Sequence, residues 1–251
     1  MKGRPDPVDA VYAELLRAEG RAEALLTLLR RFQEDPSLLV SLLRRPVPAA
    51  LLELVAETPP WSRDARVLAV VVLNPRAPRA LALRLVPALR WRDLADVAGS
   101  PRVDPGARVR AETLLREQLP DLRLGERITL ARLATPAVLA PMLADPEPRV
   151  AEASLLNPRL REEDLVLAVR AAAAPRALLE AAASSPRWRD CYAVRLALVL
   201  QPRTPLALAL GKISSLLLRD LERVARTPGL PPLVQAAALR VAREAPPVDR
   251  R

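Results

Sequence analysis

The chain has 251 residues with 39 Lys+Arg against 29 Asp+Glu, a net charge of +10, a single cysteine and no histidine. Without histidine neither a Ser-His-Asp nor a Cys-His catalytic arrangement can be assembled, and a metal site would have to rely on carboxylates. One cysteine excludes an intrachain disulfide. Apolar residues make up 51% of the chain but aromatics only 2%. The apolar part is mostly Leu, Ala and Val, with few of the β-branched and aromatic residues that favour strands, so the expected fold class is all-α. Proline is abundant (27) and glycine scarce (7), which predicts short, stiff turns between helices. Residues 1–6 lead into no apolar leader segment, and the apolar run 67–73 is far too short to span a bilayer, so a soluble cytoplasmic protein is expected.

Taken in chain order, the first expected helices are 7–18 and 21–34. They lack the proline punctuation of the rest, and residues 1–35 read as a capping hairpin. After Pro36, apolar spacing predicts helices at 37–44 and 49–57, the second opening on Pro48-x-x-Leu51-Leu52. Trp61 marks the next corner, before a helix at 63–73 that stops at Asn74-Pro75-Arg76. Asn tolerates a left-handed backbone and Pro cannot continue a helix, so such a triplet is an expected helix stop. Helices follow at 78–89 and 92–98, the latter starting at Arg92-Asp93-Leu94 beside Trp91. Further helices are expected at 106–118, 125–134 and 137–144, then at 148–156, which stops at Asn157-Pro158-Arg159. The helix at 162–172 opens on Glu162-Glu163-Asp164, and 176–184 opens on Pro175. Cys191 falls inside the helix at 190–200, which stops at Gln201-Pro202-Arg203. The last helices are 206–217, 219–226 and 232–244, and 245–251 reads as a frayed tail.

These elements repeat. Residues 48–101 recur 127 positions later as 175–228 without insertion or deletion, identical at 25 of 54 positions. Pro36, Pro75, Pro120, Pro158 and Pro202 are spaced by 39, 45, 38 and 44 residues. That is the length of a helical unit that must stack on its neighbours to bury its apolar face. The Leu-Asn-Pro-Arg stops, the Pro-x-x-Leu-Leu starts and the tryptophan corners at Trp61 and Trp188 resemble HEAT/armadillo-like repeat proteins over roughly residues 36–244. The resemblance implies a single right-handed α-solenoid over 1–244, of about six units of about 42 residues. It also implies a noncatalytic scaffold that binds another protein.

Candidate binding residues follow from the repeat positions. Arg76, Arg159 and Arg203 share one loop position, where guanidiniums suit carboxylate or phosphate, although each can equally cap helix carbonyls. Trp61 and Trp188 are symmetry mates, and with Trp91 they are either wedges between units or stacking platforms. Net charge is −1 over 1–60, +5 over 61–119, 0 over 120–188 and +6 over 189–251. The basic segments 61–119 and 189–251 make nucleic acid the alternative partner. A DNA glycosylase of the HEAT-like type is a remote variant of that alternative, suggested by Trp91-Arg92-Asp93 and Trp188-Arg189-Asp190, which do not occupy equivalent positions. Asp93 and Asp220 read as first-turn carboxylates, and no catalytic, cofactor or metal residues are expected.

Overall fold

The computed structural model describes residues 7–17, 21–30, 32 and 36–244; the expected tail at 245–251 lies outside them. Among the described residues there are no strands, and α-helices follow one another as α1 (Pro7–Arg17), α2 (Ala22–Arg30), α3 (Pro36–Leu43), α4 (Ala49–Glu57), α5 (Ala65–Leu73), α6 (Arg79–Leu85), α7 (Trp91–Gly99), α8 (Pro105–Gln118), α9 (Leu124–Leu133), α10 (Pro136–Met142), α11 (Pro148–Leu155), α12 (Glu162–Arg170), α13 (Arg176–Ser184), α14 (Tyr192–Leu200), α15 (Leu206–Ile213), α16 (Leu218–Arg226) and α17 (Pro232–Glu244). Each expected helix has a counterpart, and the prolines explain most boundaries. Pro105, Pro136, Pro148 and Pro232 occupy first helical positions, where a missing N–H costs nothing. Pro48, Pro78, Pro175 and Pro205 are N-caps.

Where boundaries differ, local chemistry accounts for it. The stretch expected as one helix at 78–89 ends as a 3-10 turn, Val86–Ala88, because Pro87 has no N–H to continue the α ladder. The helix expected to reach residue 217 stops at Ile213, and Ser215 Oγ takes up the Lys212 carbonyl at 2.7 Å. Cys191 is the N-cap of α14 rather than a residue inside it. Thr227-Pro228-Gly229 joins α16 to α17 with Gly229 at φ 83°, a conformation that a side chain disfavours.

The chain divides into two compact units, Met1–Asp121 and Leu122–Arg251. Within unit 1, helices pack on those two further along the chain: α1 on α3, α3 on α5, α5 on α7, and likewise α2 on α4 and α6 on α8. Within unit 2 the same rule joins α9 to α11, α11 to α13, α12 to α14 and α15 to α17. Leucine and valine fill the space between them; Leu39, Leu43, Leu52, Val55 and Val67 are fully buried in unit 1, and Leu139, Leu178, Leu179, Val194 and Leu198 in unit 2. The duplication also extends beyond residues 48–101. At an offset of 127, α4, α5 and α7 coincide in both bounds with α13, α14 and α16, and α8 begins where α17 does.

Buried amides fix this stacking. Asn74 Nδ2 donates to the carbonyls of Leu43 and Arg45, both at 2.7 Å, and its Oδ1 accepts the Arg76 N–H at 2.9 Å. Asn157 repeats the pattern on Ala131 and Ala134, with Arg159 N–H at 2.8 Å. Gln201 repeats it on Val169 and Ala171. In each case an amide just past one helix ties off the end of the helix two places earlier. The role expected for Asn74, a left-handed residue, is therefore corrected: its φ/ψ of −67°/130° is extended, as is that of Gln201 at −89°/114°. The following proline forces this conformation, and the side chain then bridges to the neighbouring helix.

Candidate functional site

Three helices of unit 1 leave a groove of about 780 Å³ between them. Its walls come from residues spaced three and four apart, which share one helix face. From α3 and the residue after it come Ser37, Val40 and Arg44; from α5, Arg66, Val70 and Leu73; from α7 and its C-cap, Asp93, Asp96 and Ser100. The Asn74 clasp holds the C-termini of α3 and α5 together, so these two helices run side by side in the same direction. A second, smaller cleft is lined by Val72 and Asn74 at the end of α5 and by Pro101 to Asp104 beyond α7, which brings the C-terminus of α7 to the same edge.

This parallel order gives the groove two chemically different ends. Asp64 and Asp93 stand toward the helix N-termini beside Arg66, Asp96 lies further along α7, and Arg44 and Arg102 stand at the C-terminal end. Asp64 is already engaged: it caps α5 by accepting the Arg66 N–H at 2.9 Å, and the Arg66 guanidinium returns to its carboxylate at 3.3 Å. Burial alone would raise the Asp64 carboxyl, but the hydrogen bonds and charge of Arg66 outweigh it and hold the group below its ordinary value. Asp93 behaves in the opposite way. Burial, and then the neighbouring carboxylate of Asp96, push its carboxyl above the ordinary value, and Arg90 and Arg92 offset this only in part.

The residues singled out from sequence lie elsewhere. Trp61 and Trp188 are 2% and 6% exposed, so their ring faces are covered by protein. Trp188 Nε1 donates to the Leu155 carbonyl at 3.0 Å, with the Arg187 guanidinium 4.4 Å above the ring. Trp91 is half-buried as the first residue of α7, with Arg92 5.6 Å from its ring. Arg159 donates to the Leu133 carbonyl at the end of α9, capping a neighbouring helix. Arg76 and Arg203 are exposed. The Cys191 thiol is half-buried, and burial, followed by a hydrogen bond and charge from Glu162, raises it above its ordinary value. A thiol held in this way is a poor nucleophile.

The groove residues carried a sequence signal of their own. Polar residues recur at helical spacing at Ser37, Ser41 and Arg44 and at Asp93, Asp96 and Ser100, and Arg66 shares a face with the apolar Val70 and Leu73. Only the fold reveals that these faces are neighbours. Among the described residues no group of three or more acidic or thiol side chains could hold a metal ion. No helix among them is long and apolar enough to cross a membrane. Comparison with known proteins adds no identity, since no protein-family model, no curated protein and no solved structure matches the chain.

Proposed function

We propose that this protein is a noncatalytic interaction scaffold, its helices forming a HEAT/armadillo-like α-solenoid of about six units, and that the α3–α5–α7 groove receives a segment of a partner protein. The observation that carries the reading is the groove itself: an open channel of about 780 Å³ with an apolar floor at Val40, Val70 and Leu73 and charge at both ends. A peptide segment suits such a channel because its side chains can meet floor and ends together. A phosphate backbone suits it less, because the carboxylates of Asp93 and Asp96 would repel it along part of its length.

The test is affinity capture from nuclease-treated native lysate with the wild-type chain and two variants. Val70→Arg fills the groove, whereas Val109→Arg alters an exposed position on α8 (60% exposed) outside the groove lining. A protein retained by wild type and Val109→Arg and lost from Val70→Arg supports the reading. Recovery of nucleic acid alone in the untreated sample, or an identical set of proteins with both variants, overturns it.

A further inference from the structure

The two units differ at one corner in a way that names the chemistry of the groove's occupant, an inference that rests on the docking reading above. At the 127-residue offset, α14 and α16 stand in unit 2 where α5 and α7 stand in unit 1. In unit 2 the first residue of α14, Tyr192, donates its hydroxyl hydrogen to Asp220 Oδ2, and its oxygen accepts the Leu217 N–H at 3.1 Å. Asp220 is 8% exposed, and the residue three further along α16 is Arg223. This corner is filled and closed by the chain's own side chains.

The corresponding positions in unit 1 carry Ala65 in place of Tyr192, Asp93 in place of Asp220 and Asp96 in place of Arg223. A methyl group cannot donate a hydrogen bond, and a second carboxylate adds like charge where the other copy has a cation. Asp93 therefore faces an open groove without the side-chain donor that its counterpart has. Burial already disfavours its charged form, so a donor arriving from outside has more to stabilise here than at a solvated carboxylate. We infer that the partner segment places a basic side chain, arginine or lysine, against Asp93 and Asp96. Arg44 and Arg102 repel a second one at the C-terminal end, and the Arg66 charge on α5 is taken up by Asp64, so a single basic residue is accepted, on the α7 wall of the groove.

The experiment titrates the full chain, labelled at valine and alanine methyls, with acetyl-Ala-Arg-Ala-amide and separately with acetyl-Ala-Glu-Ala-amide. The arginine peptide is expected to shift the Val40, Ala69 and Val70 methyls and to bind roughly tenfold or more tightly than the glutamate peptide. Asp93→Asn/Asp96→Asn and, independently, Ala65→Tyr, which copies the closed corner of unit 2, should each abolish that preference. Equal binding of both peptides, or an arginine preference that survives both variants, overturns the inference. If the glutamate peptide alone shifts the groove methyls, the inference fails while the docking reading stands. If neither peptide shifts them up to its solubility, while the labelled chain remains folded, both fail.

Discussion

Asn74 shows how much a single side chain decides in this chain. Its amide gives two hydrogens to carbonyls that end α3 and accepts one from the Arg76 backbone, a set that only Asn or Gln can supply. Asn74→Asp would set a carboxylate against two carbonyl oxygens inside the protein, and should destabilise unit 1 by roughly 2–4 kcal/mol in urea unfolding. A loss below about 0.5 kcal/mol would mean that the clasp carries no net stability. Asp93 should respond with the opposite sign. Its folded carboxyl titrates above the ordinary 3.8, so the folded state holds the proton more tightly and stability falls as pH rises through that interval. Asp93→Asn should accordingly be neutral or stabilising at pH 7, with the difference vanishing below the ordinary value. A clear loss of stability at neutral pH would show that the ionised carboxylate is structurally required, not held for a ligand.

At the level of elements, the positions of the helices were written in the chain and their meaning was only partly so. Proline at N-cap and first positions sets helix starts locally, which is why the expected and observed helices pair one to one. The clasp was misread because a C-terminal Asn has two common uses, a left-handed backbone and a side-chain bridge. The choice depends on a helix about thirty residues away as well as on the next proline. The groove was not legible for the same reason, since the polar faces of α3 and α7 and the mixed face of α5 become one surface only once the three helices lie together. The tryptophan corners stood out by composition, yet both rings are buried. Trp188→Ala would empty a large packed volume and free the Leu155 carbonyl, and should cost about 3–5 kcal/mol by thermal or urea unfolding. Helix α5 offers a smaller test. Asp64→Ala removes its N-cap and should cost about 1 kcal/mol at neutral pH. Because the folded carboxyl lies below the ordinary 3.8, this contribution is present above that value and is lost as pH falls through the folded one. The difference between wild type and Asp64→Ala should therefore close in acid.

For the whole molecule, the duplication sets a comparison that no single unit could offer: one backbone plan carried out twice with different side chains at a corresponding corner. In unit 2 the corner belongs to the core, where Tyr192 packs against the cluster of Val199, Ile213, Leu221 and Val224 while its hydroxyl serves Asp220. In unit 1 the corresponding positions carry Ala65, Asp93 and Asp96, and both carboxylates line the groove. A corner kept for stability and one kept for binding should answer opposite substitutions in opposite ways. Tyr192→Phe keeps the ring but takes the hydroxyl from a carboxylate that is 8% exposed, leaving it the Arg219 guanidinium at 3.7 Å, and should cost about 1–3 kcal/mol in urea unfolding. Ala65→Tyr adds a donor and apolar surface to a half-open corner and should be neutral or stabilising. If Ala65→Tyr instead costs as much as Tyr192→Phe, the unit 1 corner is a packed structural element in its own right, and the contrast between an open and a closed copy is lost.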